Sequence, residues 1–252
     1  MFSGFLRGIS TLYDSDLISQ EHYLTVLGEK VRGLPFDIFK KYQAFFVPNN
    51  EYLRNMWGEA CTPSEYEIYS VDGFCSLNNC IVFPCFLLSS DVVGWVAFDP
   101  FVKAKAIETG EYGESYYSYP SKRLFNKSDY LFVLPEVYKK SLHDQYIVVT
   151  DGIFDTVSLT HYGVNACSLL GSSLTEKAAF PLQFISRIYV SLDNDEAGLK
   201  MLDNVRKLCP SARYIKQGSC NDIDDLLKTD RCSEFISKIL SSIEYGLDLT
   251  FR

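Results

Sequence analysis

Apolar residues recur at roughly helical spacing over 15–32, where Leu17, Ile18, Tyr23, Leu24, Leu27 and Val31 gather toward one face. Gly33 stops that helix, and Pro35 can open a second one over 35–43. The period then changes. Segments 66–72 (YEIYSVD), 80–88 (CIVFPCFLL) and 92–98 (VVGWVAF) are short, β-branched or aromatic, and separated by Gly, Asn, Ser and Asp. That pattern predicts strands of an antiparallel meander. Segment 103–128, with Gly110, Gly113 and Pro120, predicts irregular chain.

From residue 146 the rhythm becomes an alternation. Short apolar runs at 146–150, 166–170, 187–192 and 212–216 predict strands, and helices are expected near 153–162 and 174–186 between the first three. The helix after the third strand is marked by Ala197, Met201, Val205 and Leu208 on one face. A last helix over 230–244 groups Phe235, Ile236, Ile239, Leu240 and Ile243. Strands alternating with helices across short connections imply an α/β unit with a mainly parallel sheet. The expected fold is α/β: a mixed α+β segment over 1–145, a Rossmann-like, mainly parallel segment over 146–229, and a C-terminal helix over 230–252 packing on the core.

Composition narrows the classes. The chain has 252 residues, 47% of them hydrophobic, enough for a sizeable core. It has no apolar run of membrane-spanning length and no secretory pattern at its start, so a cytoplasmic protein without membrane partners is expected. The net charge is −8, and both halves are acidic, so any polyanion must be met by a local patch or through metal ions. Eight cysteines include no C-x-x-C pair, and His22, His143 and His161 lie outside zinc-finger spacing. Reduced thiols and no zinc are expected.

The acidic residues carry the chemistry. In open parallel sheets, functional groups gather beyond the carboxyl ends of the strands. Three predicted strands lead into aspartates. The run 146-YIVVTDGIFD-155 supplies Asp151 and Asp155, 187-RIYVSLDNDEAG-198 supplies Asp193 and Asp195, and 212-ARYIKQGSCNDIDDLL-227 supplies Asp222 and Asp224. Any one of them reads as an ordinary helix N-cap. Together, on parallel strands with right-handed crossovers, they converge on one edge. Carboxylates that close repel unless a cation lies between them. Oxygen-only ligands point to magnesium or manganese.

These motifs resemble a Toprim domain, and more narrowly that of DnaG-type bacterial and phage primases. That family has a Glu-Gly-x-x-Asp turn, then Asp-x-Asp with a following Ala-Gly, here Asp193–Gly198. Its Asn-Ala-x-x-x-x-Gly-x-x-Leu-Thr segment is matched by 165-NACSLLGSSLT-175, and its late Asp-x-Asp by Asp222 and Asp224. Upstream, 80-CIVFPCF-86, 92-VVGW-95, 119-YPSKRLFNKS-128 and 32-RGLPFDIF-39 are similar to segments of the primase polymerase core. The chain departs at Asp151, where the family has glutamate, at Phe98, where it has arginine, and at Ser115 and Ser118, where it has lysine and asparagine.

The resemblance implies a polymerase core alone, without zinc ribbon or helicase-binding domain, that synthesises short RNA primers on single-stranded DNA. It implies Asp151, Asp193, Asp195, Asp222 and Asp224 as ligands of Mg2+ or Mn2+, with Asp151, Asp155, Asp193 and Asp195 as the catalytic group. Lys122, Arg123 and Lys127 form a basic stretch free of acids and would hold phosphates, with Arg32 as a template contact. Implied partners are the template, ribonucleoside triphosphates, and a replicative helicase, single-strand-binding protein or separate zinc-ribbon protein. Two other readings stay open: a Toprim metal-dependent nuclease, and a non-catalytic primase-like binding module.

Overall fold

A computed structural model describes residues 17–31, 33–48, 79–100, 116–119, 126–171, 173–193, 195–216, 232–245 and 249–250. The chain divides into two compact units, one of Met1–Cys85 with Asp91–Asn126, the other of Phe86–Ser90 with Lys127–Arg252. No described helix is long and apolar enough to cross a membrane.

In the first unit, α1 (Leu17–Val31) ends at Gly33, whose φ of +66° is the left-handed conformation that glycine adopts without strain. Pro35 then opens α2 (Phe36–Lys41), which carries Asp37 in its first turn and Lys40 and Lys41 in its last. The sheet runs β1-β2-β3-β4, formed by Phe45–Val47, Cys80–Phe86, Val92–Phe98 and Tyr116–Tyr119. Strand β1 pairs antiparallel with β2, and β3 with β4. Phe39 and Tyr42 set their rings against Phe83 at centroid distances of 6.2 and 6.5 Å. Buried Gln20 on α1 donates from Nε2 to the Phe46 carbonyl (3.1 Å) and accepts the Phe46 N–H at Oε1 (2.8 Å).

Strand β4 lies inside the stretch predicted irregular; it is held by pairing with β3, Trp95 opposite Tyr119 and Phe98 opposite Tyr116, which no local pattern announces. Strand β1 went unpredicted because three residues cannot establish a period. The strand expected at 66–72 lies outside the described residues.

The second unit is built on a sheet of order β10-β9-β8-β6-β7-β5. These strands are β5 (Leu131–Phe132), β6 (Tyr146–Thr150), β7 (Ala166–Leu169), β8 (Arg187–Ser191), β9 (Arg213–Lys216) and β10 (Leu249–Thr250). All neighbouring pairs are parallel except β5 with β7. The helices are α3 (Pro135–Asp144), α4 (Ile153–His161), α5 (Glu176–Ala179), α6 (Glu196–Leu208) and α7 (Cys232–Tyr245). The expected α/β class with a mixed first part and a mainly parallel second part is what forms.

One core cluster joins Tyr146, Val148, Ala166, Tyr189 and Ile215 of the sheet to Leu159 of α4 and to Phe235, Ile239 and Ile243 of α7. Those three α7 residues repeat every four positions and form a single stripe. Leu240, grouped with them on sequence, is 41% exposed. The helix expected over 174–186 is instead α5 followed by a 3-10 turn, Phe180–Phe184. Pro181 supplies no N–H to continue the α-helical ladder.

Candidate active site at the carboxyl edge of the parallel sheet

The register aligns the ends of four strands. Thr150 lies opposite Ser168 on one side and Ser191 on the other, and Ser168 lies opposite Phe132. Strands β6, β7 and β8 run the same way, so the chain after each leaves the sheet on one edge. Strand β5 runs against them, so the residues before it lie on that same edge. Asp151, Asp193 and the 3-10 turn Lys127–Asp129 therefore share an edge. Adjacent strands are about 4.8 Å apart, which puts β5 roughly 10 Å from β6.

The first loop is braced from below. Thr150, fully buried, donates its hydroxyl to the Gly152 carbonyl (3.0 Å) and shares a 2.8 Å hydrogen bond with the Thr156 hydroxyl. Gly152 is the N-cap of α4, with an extended φ of −102°, so its conformation does not require glycine. Its space does: a Cβ there would collide with the Asp155 carboxylate, whose Cγ would be 3.3 Å away. Asp155 is thus folded back under the turn and is 8% exposed.

The second loop is tied to the first. The Asp193 N–H donates to Asp151 Oδ2 at 3.1 Å. Asp195, extended at φ −128°, caps α6 by accepting the Gly198 N–H at 2.7 Å on Oδ1. A Cβ at Gly198 would lie 3.0 Å from the Asp193 carbonyl carbon and closer still to its oxygen. The absent side chain lets the Asp193 peptide rest directly on the first turn of α6.

Asp151 and Asp193 are half-buried, whereas Asp195 is exposed. The edge therefore gathers Asp151, Asp155, Asp193 and Asp195, with the half-buried Lys127 two strands along. Asp222, Asp224, Lys122, Arg123 and Arg32 lie outside the described residues. Tyr214 of β9 is an unforeseen neighbour: burial pushes its phenol pKa up, and the Asp151 charge pushes it further. Nothing in its sequence context marks it, because its place depends on β9 pairing beside β8, with Val190 opposite Tyr214.

Among the described residues, no three His, Cys, Asp or Glu side chains close around a metal position. The donors that are described are carboxylate oxygens throughout, a chemistry that fits a hard divalent cation.

Residues 148–227 match the family model described as Toprim-like. The second unit carries a Toprim-like domain. Its limits enclose both aspartate loops, strands β7 to β9 and the last three residues of β6. The DNA primase of Clostridium acetobutylicum is 26% identical over 184 residues, which is 69% of this chain but 29% of that protein. The chain thus matches less than a third of that relative's length. The fold extends the likeness past the Toprim-like domain. The Aquifex aeolicus primase structure (zinc-binding and RNA polymerase domains) has a TM-score of 0.74 at 18% identity, covering 97% of this chain and 60% of that one. A DnaG primase catalytic domain bound to single-stranded DNA has a TM-score of 0.70 at 18% identity, covering 95% and 82%. This is the fold of the DnaG primase catalytic core, with its Toprim-like domain.

Proposed function

We propose that the chain is a primase-type nucleotidyltransferase that makes short RNA primers on single-stranded DNA. The observation that carries this reading is the hydrogen bond from the Asp193 N–H to Asp151, which locks the two aspartate loops together at the carboxyl edge of a Toprim-like domain. The primase relatives and the structural likeness to a DnaG domain bound to single-stranded DNA support the substrate class.

In the reaction, the 3′-hydroxyl of one nucleotide gives up its proton to water, its oxygen bonds to the α-phosphorus of the next, and the bond from that phosphorus to the bridging oxygen breaks as pyrophosphate leaves. Bound Mg2+ or Mn2+ would neutralise the charge that builds on phosphorus. Asp151, Asp193 and Asp195 would hold it, joined by Asp222 and Asp224. Asp155, under the first turn, would support the turn that carries Asp151 as part of the catalytic group. Lys127, and with it Lys122 and Arg123, would neutralise phosphate oxygens, and Arg32 would meet the template backbone. A replicative helicase, a single-strand-binding protein or a separate zinc-ribbon chain would recruit this acidic core to DNA. Its place of action would be the cytoplasm.

A second reading, a template-binding module without catalysis, is favoured by the shorter carboxylate at Asp151, about 1.5 Å back from the reach of the glutamate the family carries there. Incubation with single-stranded DNA and labelled ribonucleotides, in magnesium and then manganese, separates the two. Short RNA products that vanish in Asp193→Asn establish the transferase. Template binding without product establishes the module. Template cleavage assigns the site to a nuclease.

A further inference from the structure

We infer that Gly171 and residues 173–178 form a clamp that positions Lys127 against the acidic loops, with Thr175 as its central positioning residue. This rests on the reading of Lys127 as a phosphate-binding group. The clamp grips the three residues after Lys127. Gly171 lies against Ser128 so closely that an added Cβ would overlap the Ser128 hydroxyl and stand 3.2 Å from its Cβ. The Thr175 hydroxyl donates to the Ser128 carbonyl at 3.0 Å while accepting the Ala178 N–H at 3.2 Å. Lys177 pairs with Asp129 at 3.4 Å and stands 4.9 Å over the Tyr130 ring.

The other side of the segment is fastened to the acidic half of the site. The Leu174 N–H donates to Asn204 Oδ1 at 2.6 Å, and Asn204 belongs to α6, the helix that Asp195 caps. One stretch of chain therefore bonds to the turn that carries Lys127 and to the helix that sets Asp193 and Asp195. Lys127 itself has no acidic partner among the described residues, whereas its clamp neighbour Lys177 does. On the reading above, Lys127 is the group of this turn that meets an external anion. The anion is a phosphate group, either of a nucleoside triphosphate or of a DNA backbone.

A double-mutant cycle in the full chain tests this, read as equilibrium binding of a labelled ribonucleoside triphosphate with magnesium and, separately, of labelled single-stranded DNA. Lys127→Ala is expected to weaken one of the two ligands, and the ligand affected names the phosphate source. Thr175→Val removes the hydroxyl at nearly constant shape and is expected to weaken the same ligand about three- to tenfold. Thr175→Ser, which keeps both hydrogen bonds, is expected to stay within about twofold of the parent. In the Lys127→Ala background, Thr175→Val is expected to add nothing. If Thr175→Val does not fold, Lys177→Ala, which leaves the α5 cap intact, enters the same cycle with the same expectation. Equal losses in both backgrounds overturn the inference, as does parental binding of both ligands by Lys127→Ala. A chain that binds neither ligand overturns it too. A parent that binds but makes no primer refutes the transferase reading alone and leaves the cycle readable.

Discussion

Replacing Gly198 by alanine adds one methyl where the structure has no room for it. The new Cβ would lie 3.0 Å from the Asp193 carbonyl carbon and 3.3 Å from its nitrogen. Carbon atoms settle at about 3.5–4.0 Å, so the Asp193 peptide must retreat by about half an ångström at its carbon and by more at its oxygen. No side-chain rotation relieves this, because every colliding atom is backbone. The retreat also loads the bond from the Asp193 N–H to Asp151. Alanine gains about 1 kcal/mol of helix propensity over glycine, against an overpacking cost of about 1–3 kcal/mol. The net change is a loss of about 0–2 kcal/mol, a fall of a few degrees in Tm. Activity is expected to suffer far more, since a 1 Å misplacement of reacting groups costs about a hundredfold. Primer synthesis and thermal unfolding, measured on the same preparation, check both. A Gly198→Ala protein that unfolds higher than the parent and keeps its rate within about threefold would refute the argument that the loop is fixed by this contact.

Four further outcomes are expected. Thr150→Val removes the buried hydroxyl that braces the first loop and is expected to cost about 1–3 kcal/mol by urea denaturation. Ser168→Ala, one strand over, is expected to be neutral or slightly stabilising in the same assay, because the buried Ser168 hydroxyl has no hydrogen-bond partner among the described residues. Asp151→Asn removes the negative charge that helps hold the Tyr214 phenol protonated, so the Tyr214 pKa is expected to fall; tyrosine NMR in metal-free buffer, with Tyr214→Phe as assignment control, reads the change. Tyr162 is pushed up to about 12 by its hydrogen bond with Cys232 and by burial. An unfolded tyrosine loses its proton near pH 10, so folding stability is expected to fall as pH rises from about 10 toward about 12, and less steeply in Tyr162→Phe.

Strands β6, β8 and β9 and helix α6 could be read in the sequence because each is long enough for its own apolar pattern to show. Their order also implied that Asp151 and Asp193 emerge on one edge, since parallel strands and right-handed crossovers leave little choice. The remainder depends on pairings between distant residues. Strand β5 has two residues and no local signal, yet it brings Lys127 to the acidic edge. The Thr175–Ser128 bond spans 47 positions. The Asp193–Asp151 bond spans 42, and neither its donor nor its direction follows from the two motifs. Pro181 was visible, but whether it would kink or split the helix depended on the packing of 180–184. Tyr214 reads as an ordinary strand residue until the sheet places it beside Asp151.

The pairing of Gln20 with Phe46 bears on how the protein avoids sticking to itself. Among the described residues, β1 is the outermost strand of its sheet, and its far side would ordinarily offer an N–H and a carbonyl for another polypeptide to pair with. At Phe46 both groups are taken by one side-chain amide, which donates and accepts as a neighbouring strand would. The amide carries no further backbone beyond it, so the hydrogen-bond ladder ends there instead of repeating. A second chain seeking to extend the sheet at this row must first displace a buried amide, and fibrous or strand-swapped association along β1 is disfavoured at its central residue.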